Sequence, residues 1–177
     1  MVKRDRNWRR RPAAGAGRYR DWLIDRGSLT DRIRARCQAF RVELVFQGLR
    51  RATRDERVLF GGRGRQTLVR EVYLRCGDVP VVFAHSVARR GDLRGAWRGL
   101  TRLGAQPLGA ALFANPRVRR QALRFRALHA RDELSLRAVG GGMPDGHQVL
   151  WARRSLFTLN NSPILVTEIF LPGILAL

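Results

Sequence analysis

Lysine is all but absent from this chain: Lys3 is the only one among 177 residues. The formal charge of +21, from 35 basic and 14 acidic residues, is therefore an arginine charge. It is spread from Arg4 to Arg154 rather than gathered into one block. A clustered charge of this size would point to nucleic acid, an anionic membrane or a polyanionic substrate. A dispersed one reads as a preference for arginine codons, and no nucleic-acid partner is expected; a DNA-binding rival would betray itself by strongly salt-dependent retention on DNA. Cysteine is scarce too. Cys37 and Cys76 stand apart without CxxC spacing, which argues against a zinc site and against a disulfide framework, and suits a reducing cytoplasm. No run approaches the roughly eighteen apolar residues that span a bilayer, so no membrane span is expected. The arginine-rich start is not followed by an apolar stretch: Arg9-Arg10-Arg11 leads into Pro12 to Tyr19, too polar for an export signal. His85, His129 and His147 lack metal-ligand spacing, and no Ser or Cys sits in a nucleophile motif such as GxSxG. Neither a metal site nor covalent catalysis is expected.

What is present reads as one α+β domain, 20–177, behind a disordered basic N-terminal arm, 1–19, whose arginines and Pro-Ala-Ala-Gly-Ala-Gly stretch offer little apolar surface to offset ordering. Two short helices are expected at 21–26 and 29–37, the second with Ser28 as N-cap and Asp31 completing a capping-box variant. Phe40 to Gln47 reads as a strand. Residues 50–64 read as a charged, then Gly-rich connection, whose Gly61-Gly62-Arg63-Gly64 lacks the Lys-Ser/Thr of a phosphate loop and is read as a turn. Gln66 to Arg75 and Val79 to Ala88 form a hairpin around Cys76-Gly77-Asp78. Helical spacing returns at Leu93 to Leu103 and Pro107 to Phe113; 117–128 alternates like a strand and 130–147 reads as a loop. A second hairpin, Gln148 to Leu159 and Pro163 to Leu171, turns at Asn160-Asn161-Ser162. Two hairpins with short helices imply a largely antiparallel sheet with helices covering one face.

Two residues break the apolar pattern. Side chains alternate along a strand, so Leu68, Arg70, Val72 and Leu74 share a face, as do Ile164, Val166, Glu168 and Phe170. Arg70 and Glu168 each interrupt an otherwise apolar set. A lone buried charge costs several kcal/mol unless partnered. Either the two pair with each other, or a bulge turns both to water, or they face a ligand: a guanidinium fork for a carboxylate and a carboxylate for a hydroxyl. Trp151 with Arg153-Arg154 reads as a packed Trp beside a solvated charge pair.

Several short motifs in register then resemble one family. Asp21-Trp22-Leu23, Gly27-Ser28-Leu29-Thr30, Val69-Arg70-Glu71-Val72, Gln106-Pro107-Leu108-Gly109, Trp151-Ala152-Arg153-Arg154-Ser155 and Thr167-Glu168-Ile169-Phe170-Leu171-Pro172 resemble, in order and approximate spacing, the chorismate pyruvate-lyases of bacterial ubiquinone biosynthesis. The resemblance runs from about residue 20 to 172. It implies a lyase that cleaves chorismate to 4-hydroxybenzoate and pyruvate on a six-stranded antiparallel sheet with helices on one side, a ligand buried under flap-like segments, no cofactor, and a monomeric cytoplasmic enzyme. It assigns Arg70 to the ring carboxylate, Glu168 to the ring hydroxyl, and Leu29 and Leu108 to backbone contacts. Where family members often carry a second arginine, on the strand after the first hairpin, this chain has His85, which the resemblance places in the substrate site; Ala88-Arg89 replaces an apolar-Pro pair. The rival from another class is a non-catalytic aromatic-acid-binding module like the UTRA effector domains, disfavoured because only about twenty residues precede the domain where such modules follow a DNA reader.

Overall fold

β-Branched and aromatic residues recur along the long segments that pair, and the turn residues between them fix the register. The computed structural model describes residues 7–60, 66–140 and 149–177. The strands are β1 (Phe40–Arg50), β2 (Thr67–Cys76), β3 (Val79–Arg89), β4 (Arg119–Arg120), β5 (Arg124–Leu128), β6 (Leu150–Leu159) and β7 (Ser162–Phe170). They form one antiparallel sheet in the order β1-β2-β3-β7-β6-β4, with β5 also on β6. Both hairpins form as expected. Gly77 takes the left-handed conformation in the first, and Asn160 and Asn161 both take it in the second, the geometry of a two-residue hairpin turn that asparagine tolerates. The single strand expected at 117–128 is broken into β4 and β5, so the strands number seven rather than six.

The helices are short: α1 (Arg20–Ile24), α2 (Leu29–Arg34), α3 (Arg54–Leu59), α4 (Leu108–Ala114) and α5 (Glu133–Ala138). Ser28 caps α2 by accepting from the Asp31 amide. The helix expected over Leu93 to Leu103 is two 3-10 turns, Arg90–Arg94 and Arg98–Arg102, interrupted where Gly95 leaves helical geometry. α3 and α5 fall where a connection and a loop were expected. They also correct the expectation of helices on one face. α1, α2 and α4 lie on one side of the sheet, whereas α5 packs on the other, where the Tyr73 hydroxyl donates to the Ala138 carbonyl, and α3 brings Glu56 to His85 there. The expected turn at 61–64 and the 141–147 part of the expected loop, His147 included, lie outside the described residues.

Residues 8–19, assigned to a disordered arm, wrap the β5 edge. Arg9 bridges Phe125 through both backbone groups, Ala16 is buried on the α1 side, and Trp8, 4% exposed, is buried on the α5 side. Trp8 supplies the apolar anchor that the arginines and glycines around it do not. Cys37 and Cys76 are joined in a disulfide rather than standing apart. β1 begins just after Cys37 and pairs Phe40 with Cys76, so sheet register brings together sulfurs that are 39 residues apart in sequence. Closing a loop of that length contributes about 4 kcal/mol by restricting the unfolded chain.

Candidate active site

On the α2/α4 side, the antiparallel register lays side chains out in rows across β2, β3, β7 and β6. Leu68, Ala88, Ile164 and Phe157 form an apolar row at one end and Leu74, Val82, Phe170 and Trp151 another at the opposite end. Between them run two mixed rows: Arg70, Ser86, Val166, Ser155, and then Val72, Ala84, Glu168, Arg153. Arg70 and Glu168 therefore sit two strands and one row apart, which at ordinary strand spacings separates their backbones by roughly 12 Å. Alternation had placed both on this face. They do not pair with each other. The space between them is an open-sided cavity of about 600 Å³, part of it continuous with solvent, roofed by Leu29 and Thr30 of α2 and by Pro107, Leu108, Gly109 and Leu112 at α4. Leu29 and Leu108 are the first residues of their helices, where backbone N–H groups have no intrahelical acceptor.

Arg70 is 3% exposed. One of its terminal nitrogens, Nη2, donates to the carbonyls of Gly104 and Gln106, both at 2.8 Å, and its Nε has no partner. No carboxylate meets it among the described residues. Burial alone draws its pKa down to about 10, the signature of a cation stripped of water without an anion to replace it. Glu168 is held differently. Its Oε2 accepts from Arg153 Nε at 2.5 Å, while its Oε1 has no partner among the described residues. Arg153 is fully buried rather than solvated. Its Nη1 also donates to the carbonyls of Trp22 at 2.9 Å and Asp25 at 2.6 Å. One guanidinium thus fixes the carboxylate and the connection from α1 to α2.

His85 is not in this site. It pairs with Glu71 in the register, while Arg70 pairs with Ser86, so it projects from the other face. There it is 1% exposed, with Nε2 2.7 Å from Glu56 Oε1 and Nδ1 3.0 Å from Glu71 Oε1. Burial pulls its pKa down, but the hydrogen bonds to Glu56 and Glu71 outweigh it and leave it raised. Arg154, on the same face, bonds Asp55 at 2.7 Å.

The second cation of the cavity is Arg120, which the sequence reading did not single out. Its Nε donates to Ser155 Oγ at 3.0 Å, its Nη1 to the Arg26 carbonyl at 2.7 Å, and it lies over the rings of Phe113 and Phe157. Counting β6 by twos from Trp151 could have placed Arg153 and Ser155 inward. Nothing comparable marks Arg120, because its strand is only two residues long.

Comparison with known proteins follows the same lines. A family model described as chorismate lyase matches residues 10–176. A probable chorismate pyruvate-lyase of Nitrosomonas europaea is 52% identical, covering 94% of each chain. One from Nitrosospira multiformis is 51% identical over 97% of this chain and 96% of its own. Among solved structures, the C-terminal domain of a histidine utilization repressor from Pseudomonas syringae shares the fold, with a TM-score of 0.57 at 9% identity, over 76% of this chain and 92% of that one.

Proposed function

The chain belongs to the chorismate lyase family, and from that premise we propose that it cleaves chorismate to 4-hydroxybenzoate and pyruvate, at the start of ubiquinone biosynthesis. The observation that carries this is Arg70, a buried guanidinium with an unpartnered Nε facing the same cavity as Glu168. Chorismate carries a ring carboxylate, a hydroxyl para to it, and an enolpyruvyl ether on the carbon beside the hydroxyl. Arg70 takes the ring carboxylate, with the first-turn amides of Leu29 and Leu108 beside it, and the free oxygen of Glu168 takes the hydroxyl. In the reaction the ether C–O bond breaks with its electron pair going to oxygen. The hydrogen on the hydroxyl-bearing carbon leaves as a proton, and the ring becomes aromatic. The gain in aromaticity drives the step, so the protein's task is to orient the ether and stabilise developing charge while Val72 and Val166 exclude water. The step needs no metal or cofactor. We place it in a cytoplasmic monomer acting on a diffusible dianion; no described helix is long and apolar enough to cross a membrane.

The test is direct. Purified protein incubated with chorismate should release 4-hydroxybenzoate, read by absorbance, and equimolar pyruvate, read with a coupled dehydrogenase. Formation of 3-hydroxybenzoate, or no turnover, rejects the assignment. The likeness to a regulator's domain favours one second reading, a non-catalytic aromatic-acid-binding module, which predicts tight 4-hydroxybenzoate binding with chorismate left intact.

A further inference from the structure

The cavity carries more positive charge than its carboxylate and its aromatic product require. Arg153 is neutralised by Glu168. Arg70 and Arg120 are matched by no carboxylate among the described residues, which leaves two cations facing one cavity. 4-Hydroxybenzoate offers one carboxylate and chorismate offers two. Resting on the reading above, we infer that Arg120 is the residue that recognises the enolpyruvyl carboxylate of the substrate and accompanies it as the leaving group departs.

Geometry supplies the argument. With the ring carboxylate on Arg70 and the para hydroxyl on Glu168, the ether is attached next to the Glu168 end. Its carboxylate must therefore swing to one flank of the line between them. The flank toward β1 and β2 is Val42, Val72 and Leu74, which offer an anion nothing. The flank toward β6 and β4 holds Ser155 and Arg120. Arg120 is also pre-set. Ser155 and the Arg26 carbonyl use two of its nitrogens, and Phe113 and Phe157 support its plane. Its Nη2 has no partner among the described residues. It feels the charge of Glu168 without forming an ion pair with it, and the two line the same cavity. Once the ether bond breaks, the electron pair resides on the enolpyruvate oxygen, next to the carboxylate that Arg120 already holds. The same guanidinium then neutralises both until the enol takes up a proton on carbon and becomes pyruvate.

This separates substrate from product recognition, and the experiment uses that separation. Wild type, Arg120→Gln and Arg120→Lys are compared for chorismate turnover and for binding two probes by calorimetry: 4-hydroxybenzoate, and 4-hydroxybenzoate bearing a carboxymethyl ether on the carbon beside its hydroxyl. In Arg120→Gln, kcat/KM for chorismate and affinity for the ether diacid should each fall on the order of 10- to 100-fold, as for loss of a hydrogen bond to a charged group. Affinity for 4-hydroxybenzoate should stay within about twofold, which also reports an intact fold, and Arg120→Lys should recover part of the loss. Equal weakening of both probes reduces Arg120 to a strut holding Arg26 and overturns the inference, as does unchanged diacid binding. Wild type that binds both probes yet leaves chorismate intact sinks the lyase reading alone, and the probe ratio still decides Arg120. Wild type that binds neither overturns both.

Discussion

On the sheet face toward α3 and α5, buried charges meet their opposites. His85 lies between Glu56 and Glu71, Glu71 also takes Arg137 at 2.6 Å, and Arg154 reaches Asp55. On the face toward α2 and α4, Arg70 and Arg120 meet carbonyls, a hydroxyl and aromatic rings, but no carboxylate among the described residues. Both faces bury ions between apolar rows: Val69, Val87 and Leu165 on one side of the Glu71-His85 pair, Tyr73, Phe83 and Ile169 on the other. Burial of charge therefore does not distinguish a site from a strut. Unused valence does, because a guanidinium left with a bare donor in an apolar cavity gains most from an anion brought to it.

The most disruptive way to test that contrast is His85→Leu. It removes the cation between two buried carboxylates and should destabilise the fold by about 3–5 kcal/mol, read as a lower denaturant midpoint. Affinity for 4-hydroxybenzoate should hold within about twofold. A variant that stays folded yet loses the ligand would return His85 to the site and erase the difference between the faces.

Arg70→Ala is the reciprocal change, with a somewhat smaller expected effect. Affinity for 4-hydroxybenzoate should drop roughly 100-fold, the usual consequence of truncating one partner of a buried charged contact. The accompanying loss of stability should be smaller than for His85→Leu, since no anion is left behind. Unchanged affinity would mean that the ring carboxylate lies elsewhere.

The same contrast explains what could be read in advance. Period-two alternation suffices for Arg70 and Glu168 because each interrupts a long strand whose other inward residues are apolar. His85 was placed in the site by the family resemblance rather than by alternation, and the register, which pairs it with Glu71 and not with Arg70, turns the imidazole to the opposite face. Arg153 and Arg154 looked like a solvated pair because adjacent arginines usually are. In fact they diverge to the two faces, each to its own acid. α3 and α5 span six residues each, too few turns for helical periodicity to rise above the surrounding charge. The disulfide depends on β1–β2 register, which no spacing rule reveals. Arg120 is local in neither sense: its role depends on where a two-residue strand lands against β6.

The subtlest probe is pH, which titrates one face and leaves the other alone. His85 faces Glu56 from α3 and Glu71 from β2, and Glu71 is in turn bonded by Arg137 of α5 and Arg50 of β1. Its folded pKa is raised above 6.5, so its contribution is complete below that value and is lost as pH rises through the folded pKa. Glu71 runs the other way. Burial pushes it up, but hydrogen bonds from His85 and Arg137 bring it down from 4.5 to about 2, so its contribution is present above 4.5 and fades as pH falls toward 2. Melting temperature should therefore be highest between the two windows and decline on either side. In His85→Gln the alkaline decline should vanish, because no proton is left to lose there. Below about pH 9 the Arg70 guanidinium, with a pKa drawn down to about 10, still holds its proton, so over that range 4-hydroxybenzoate affinity should not follow the stability lost at His85. An affinity that tracks it would mean that the charge state of one face is transmitted through β2 and β3 to the cavity on the other, and that the two faces work as one.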